Sequence, residues 1–228
     1  MIGNLEAIAG RILQAFEAKN AARDQALARS RELIRNCSLC IRAVHREDFN
    51  AAADLLRTAQ AAAELMKRDL EQYPDLYHAG YTQDALKEYA EAAATYALVQ
   101  GLSLPEPEAL GVEYATYLNG LAEAVGELRR HTVDRIRLGQ LERAGRLLEM
   151  MDHVYDVLVT IDYPDAITAG LRRATDMVRG VTERTRGDLM VATRQDKLET
   201  ALARFETRIG AGAEPRPPHD LILDVNGD

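Results

Sequence analysis

The sequence predicts an all-α protein, a bundle of six or seven long antiparallel helices, and three observations carry that expectation. Ala, Leu, Glu and Arg dominate a chain of 228 residues with no Trp and three Phe, which suits helices and argues against a β-rich fold. Apolar residues recur at helical spacing over long stretches. Chain breakers are few and fall between those stretches, and three of the seven Pro gather in the last fifteen residues.

From Asn4 to about Glu47 nothing interrupts the pattern after Gly10, and Ile8, Ile12, Leu27, Leu33, Ile34, Ile41 and Val44 keep the helical period. This predicts one long helix, or two joined near Lys19-Asn20. Asp48-Phe49-Asn50 supplies a break and a cap for a second helix from Ala51 to Glu71, which Tyr73-Pro74 ends. Residues Asp75 to Tyr81 read as a loop, and Thr82 as the cap of a third helix reaching Gly101. Pro105 and Pro107 stand where helix starts accept proline. They introduce a fourth helix, from Glu108 or Glu113 to Leu138, and Gly139 stops it. The fifth spans Leu141 to Ile161, and the sixth runs from near Pro164 to about Arg208. Residues 1–208 therefore read as one helical domain, and residues 209–228, opening on Gly- and Pro-rich sequence, as a flexible tail.

No run of about eighteen apolar residues occurs, so no membrane-spanning helix is expected. The first residues lack the basic and apolar pattern of a secretory signal, so the expected location is cytoplasmic. A formal charge of −8 argues against a protein that simply coats nucleic acid. The basic side is nevertheless 24 Arg against 4 Lys, and Arg suits bidentate phosphate contacts and interface ion pairs. Cys37 and Cys40 form a Cys-x-x-Cys within a helix. A structural zinc site needs four ligands and only His45 lies nearby, so these read as two buried thiols.

Two stretches hold the candidate chemistry. Lys87-Glu88-Tyr89-Ala90-Glu91-Ala92 and Gly120-Leu121-Ala122-Glu123-Ala124-Val125-Gly126-Glu127-Leu128 each carry two glutamates on one helix face, set among small and apolar residues. If the two faces meet, the carboxylates repel one another and raise each other's pKa. A hard divalent cation removes that repulsion, and an all-oxygen donor set suits Mg²⁺ or Mn²⁺. If they do not meet, Glu88, Glu91, Glu123 and Glu127 are ordinary solvated charge, and spacing alone favours that simpler reading. Gly120 and Gly126 remove side-chain bulk and would let a neighbouring helix come close. On the first helix, Arg31, Arg35, Arg42 and Arg46 fall within about 60° of arc, with His45 beside them. Such a ridge suits a phosphate backbone, and equally an interface lined by acids. Arg172, Arg179 and Arg186 repeat every seven residues and read as an exposed or subunit-facing stripe. Tyr73, Tyr77 and Tyr81 could stack bases, though half-buried, hydrogen-bonded tyrosines are commoner.

These motifs resemble the translin/TRAX family. Ser30-Arg31-Glu32 followed by His45-Arg46 is similar to the family's first-helix signature, and Glu88-Tyr89-Ala90-Glu91-Ala92 to the Glu-Tyr-x-Glu-Ala of the TRAX branch. The most specific match is Gly120 to Arg130, which resembles Gly-Val-Ala-Asp-Leu-Thr-Gly-Glu-Leu-x-Arg. Val154-Tyr155-Asp156 fits as well. The resemblance implies a translin-like all-α fold, a hollow homo-octamer, single-stranded RNA (and single-stranded DNA) as ligand, and a Mg²⁺-dependent endoribonuclease site. By position, that site corresponds to Glu88, Glu91, Glu123 and Glu127 as catalytic and metal-holding residues. Two positions depart from the pattern: Glu123 stands where TRAX has Asp, and Ser38-Leu39 where the family has Lys-Arg, with Arg35 and Arg42 one turn to either side.

The leading expectation is thus a cytoplasmic Mg²⁺- or Mn²⁺-dependent endoribonuclease, with carboxylate-held metal activating water and Arg31, Arg35, His45, Arg42 and Arg46 holding the strand. The alternative is a non-catalytic single-stranded RNA/DNA-binding oligomeric scaffold whose glutamates make salt bridges. A di-iron carboxylate bundle ranks behind both, because the Glu-x-x-His motifs of that class are missing.

Overall fold

The computed structural model describes residues 4–212, and among them there are nine helices and no strand. Six are long: α1 (Leu5–His45), α2 (Phe49–Asp69), α4 (Gly80–Gln100), α6 (Tyr114–Arg137), α7 (Leu141–Leu158) and α9 (Leu171–Gly212). Three are single turns between them: α3 (Pro74–Tyr77), α5 (Pro107–Leu110) and α8 (Asp165–Thr168). The all-α bundle is as the sequence predicts.

The chain divides into two units, Met1–Leu189 and Met190–Asp228. In the first, α4 is the central helix and packs against α1, α2 and α6, with α7 laid on α6. Its sequence explains that position. Ala85, Ala90, Ala92, Ala93, Ala94 and Ala97 give it a small radius, while Leu86 and Tyr89 fill the spaces between neighbours. A helix apolar nearly all round belongs inside a bundle. Leu33, Val44, Met66, Leu70, Val125, Leu128 and Met151 complete the core around it. In the second unit, residues 190–212 are helical, with Leu198, Leu202, Phe205 and Ile209 exposed.

Several local expectations hold. α1 is a single helix, and the Asp48 carboxylate caps α2 by accepting from the Ala51 N–H at 3.2 Å. Gly101 and Gly139, both at φ 70°, end α4 and α6 in the left-handed conformation that favours glycine. Cys37 and Cys40 are buried free thiols, and burial pushes the Cys40 thiol up to about 12 and that of Cys37 higher still.

Others need correction. The stretch Asp75 to Tyr81 is no plain loop: Pro74 starts a helical turn, and α4 begins at Gly80. Thr82 therefore lies inside the first turn of α4, buried, and its hydroxyl donates to the Leu76 carbonyl at 2.8 Å. Ala79 holds the cap position instead. The helix expected from Pro164 onward is broken by Ala169 (φ 51°) and Gly170 (φ 86°), which separate α8 from α9. The expected tail at 209–228 lies outside the described residues apart from its first four, which continue α9. No helix among the described residues is long and apolar enough to cross a membrane.

Candidate metal centre

The close approach of α4 and α6 builds the site, and Gly120 permits it. A Cβ at Gly120 would stand 2.7 Å from the Lys87 carbonyl oxygen, 2.8 Å from the Ala90 Cβ and 3.0 Å from the Glu91 nitrogen. Only glycine lets the two backbones touch here. Gly126, expected to serve the same purpose, has nothing within 4 Å of such a Cβ and plays no part in the contact.

Across this contact the two glutamate motifs meet. One carboxylate oxygen from each of Glu88, Glu91 and Glu123 lies within 4.8 Å of the others. Glu91 is 8 % exposed, because it sits on the face of α4 that the bundle covers. Burial first, then repulsion from Glu88, Glu123 and Glu127, pushes its pKa up to about 8. Burial also raises Glu88, against the pull of Lys87. The three acids thus form a small volume of concentrated negative potential in a partly desolvated cleft, a donor set that can bind a metal ion.

The fourth glutamate is held differently. Glu127 is near enough to raise Glu91, but its Oε2 accepts a hydrogen bond of 2.5 Å from His45 Nε2. That bond keeps the Glu127 carboxyl below its ordinary range. The structure also moves His45 off the arginine ridge. Its side chain is 6 % exposed and turned toward Glu127, so the ring reaches the acids and not the open surface. Arg31, Arg35, Arg42 and Arg46 are exposed as the spacing predicts, and none has a carboxylate within salt-bridge distance among the described residues. By contrast, Arg172, Arg179 and Arg186 are each paired, with Asp162, Asp176 and Asp152. Tyr73, Tyr77 and Tyr81 are half-buried, and the Tyr77 hydroxyl donates to Glu113 at 3.2 Å.

Two features were not legible in advance. Lys87 Nζ lies 2.6 Å from Glu123 Oε1, placing a protein cation at the edge of the cluster. Beyond His45, whose ring centroid lies 6.1 Å from that of His131, a second polar group fills the α1–α6–α7 corner. There Arg135 and Arg143 hold Glu47 Oε1 at 2.8 and 2.7 Å. His131 is wholly buried and neither ring nitrogen makes a hydrogen bond among the described residues. Burial, then Arg135 and Arg143, depresses its pKa to about 4. The unfolded chain therefore binds a proton at His131 between about pH 6.5 and 4 that the folded protein refuses, so stability falls as pH falls through that window. Replacing His131 by Gln is expected to flatten this acid limb by an amount on the order of 3 kcal/mol, read from urea unfolding at pH 7 and pH 4.5.

No family model matches the chain. An uncharacterised protein of Methanocaldococcus jannaschii is 28% identical over 190 residues, which cover 82% of this chain and 84% of the relative. Among solved structures, AfC3PO alone and in complex with duplex RNA are 31% and 30% identical, with TM-scores of 0.74 and 0.73. Each match covers 84% of this chain and 98% or 97% of the other. Apo-NeC3PO, 23% identical with a TM-score of 0.73 over 84% of this chain and 98% of its own, shares the fold. With this identity sustained over nearly the whole of AfC3PO, the chain belongs to the C3PO (translin/TRAX) family.

Proposed function

We propose that the protein is a metal-dependent endoribonuclease acting on single-stranded RNA, with Glu88, Glu91 and Glu123 holding Mg²⁺ or Mn²⁺. The observation that carries this reading is the convergence of three carboxylates, one of them buried, at a contact between α4 and α6. The donor set fits a hard cation: all ligands are oxygen, and the repulsion that raises Glu91 is what such a cation relieves. When bound, the cation supplies Lewis-acid stabilisation at a phosphoryl oxygen and makes a neighbouring water more acidic.

The chain's own groups do the rest. Glu91 would hold the cation as a carboxylate, the form that burial and its acidic neighbours disfavour in the free protein. Glu127 stays ionised in its bond to His45 and adds negative charge behind the ligands. Glu123, one methylene longer than the Asp of the TRAX pattern, reaches Lys87 Nζ with Oε1 at 2.6 Å. Arg31, Arg35, Arg42 and Arg46 line the strand's phosphates in this reading; the relative AfC3PO was solved with duplex RNA. Exposed Leu5, Ile12, Leu13 and Phe16 on α1 offer an apolar face for assembly into a cytoplasmic homo-oligomer, an octamer in this reading.

A scaffold that binds RNA without cutting it is the second reading. Lys87–Glu123 and His45–Glu127 favour it, since both are cross-links that acids of a purely structural site would make. The two readings separate when a 5′-labelled single-stranded oligoribonucleotide is incubated with protein in Mn²⁺ and in EDTA. Internal cleavage only with Mn²⁺ supports the nuclease, and intact, retarded RNA in both supports the scaffold. Changing the four ridge arginines to Ala is expected to weaken RNA binding equally across sequences. The slope of log K against log salt should then flatten by up to about 3, as expected for four phosphate contacts on a single strand.

A further inference from the structure

Sharing Glu123 with the carboxylate cluster, and lined also by Lys87, is a cavity of about 580 Å³ between α4, α6 and the α8–α9 turn. The turn is tied to α6. Ala169 and Gly170 take consecutive left-handed conformations, and Asn119 Nδ2 donates both to Ala115 in its own helix and to the Thr168 carbonyl at 2.9 Å. The amide hydrogens are thereby used and Asn119 Oδ1 is left as an acceptor. Asp84 and Asp165 add two carboxylates to the lining, and Arg173 adds one guanidinium. Among the described residues none of these three side chains makes a hydrogen bond or an ion pair. Ala174 and Met177 supply an apolar wall.

This complement is specific in kind. Asp84, Asp165 and Asn119 Oδ1 are unengaged acceptors in the lining, which suits a ligand rich in O–H and N–H donors. Of the two cations in the lining, Lys87 is tied to Glu123, which leaves the planar guanidinium of Arg173 to suit one phosphate. The apolar wall suits the face of a ring. A ribonucleotide has all three parts, its size matches the volume, and its 2′-hydroxyl is the donor that distinguishes RNA from DNA. Because Glu123 belongs both to this cavity and to the carboxylate cluster, a nucleotide lodged here brings its chain to the proposed cutting site.

We propose that this cavity is a ribonucleotide subsite, in which Asp84, Asp165 and Asn119 Oδ1 accept from sugar and base donors, Arg173 pairs with phosphate, and Met177 packs on the base. The proposal rests on the nuclease reading for its place in catalysis, but not for binding itself.

The test uses the full chain with Mn²⁺ and the four ribonucleoside 5′-monophosphates beside their 2′-deoxy counterparts, titrated by calorimetry. At least one ribonucleotide is expected to bind about tenfold more tightly than its deoxy form, the effect of losing one hydrogen bond to a charged acceptor. Asp165→Ala should reduce that preference to about twofold or less, and Arg173→Ala should weaken both forms about tenfold. Both residues are exposed, and the Mn²⁺ affinity of each variant should match the wild type. Nucleotides that fail to bind the wild type, or that bind both variants as they bind the wild type, overturn the subsite. Cleavage of an oligoribonucleotide, run in parallel, keeps the two readings apart. Variant-sensitive nucleotide binding by a protein that never cuts RNA upholds the subsite and removes the nuclease. Cutting with variant-insensitive binding does the reverse.

Discussion

Glu91→Gln is expected to abolish Mn²⁺-dependent RNA cleavage while making the metal-free protein more stable at alkaline pH. The loss should be at least about 100-fold, since removing even an outer partner of a metal site commonly costs 10–100-fold. RNA retention on a filter should persist, because the arginine ridge is untouched. The gain in stability follows from linkage. Glu91 has its folded pKa raised to about 8 against an ordinary 4.5, so the folded protein binds the extra proton between those values. Stability from this group is fully present below about pH 4.5 and is lost as pH rises toward 8. Gln has the same shape and no charge, so the variant escapes that loss by on the order of a few kcal/mol at pH 8.5. A catalytic loss accompanied by ordinary destabilisation would mean that Glu91 supports the fold and not a cation.

Gly120→Ala is the second large effect. The added methyl meets backbone atoms at 2.7 and 3.0 Å, which cannot rotate away as a flexible side chain would. α4 must move off α6, at about 1–3 kcal/mol of overpacking. The shift falls between Glu88 and Glu91 on one side and Glu123 on the other, so Mn²⁺ affinity should drop with it. A misplacement near 1 Å is enough to lower activity about 100-fold. Gly126→Ala, with open space around it, is the control. It should be neutral or stabilising by up to about 1 kcal/mol from helix propensity. Thermal melts and a Mn²⁺ titration of both variants check the pair.

The contrast between these glycines shows what the sequence could carry. Periodicity placed Glu88 with Glu91 and Glu123 with Glu127 on shared faces, since those relations are local and fixed by the helix. Breakers and caps likewise located five of the six long helices to within a few residues, because the Asp48 carboxylate and the left-handed Gly101 and Gly139 act on their own stretch of chain. Which face meets which is a tertiary fact. Nothing in the local pattern distinguishes Gly120 from Gly126, or tells Glu127 to turn to His45 across 82 positions and not to join the other three. Lys87 sat in plain view within the motif, yet its bond to Glu123 spans two helices. The one-turn helix α3 was also missed, as four residues are too few to show a period, and α8 was merged with α9. The α8–α9 turn that walls the cavity owes its form to Ala169, a non-glycine at φ 51° held by its surroundings.

Calorimetric titration of Mn²⁺ into the metal-free protein at pH 7 shows whether Glu88, Glu91 and Glu123 form a divalent-cation site. Performed in two buffers of different ionisation enthalpy, it also counts protons. Saturable binding is expected with release of about one proton, supplied by Glu91, and both the binding and the proton should be lost in Glu91→Gln. Absence of Mn²⁺ binding, or binding that Glu91→Gln and Glu123→Gln leave unchanged, would rule out a cation site on these three carboxylates.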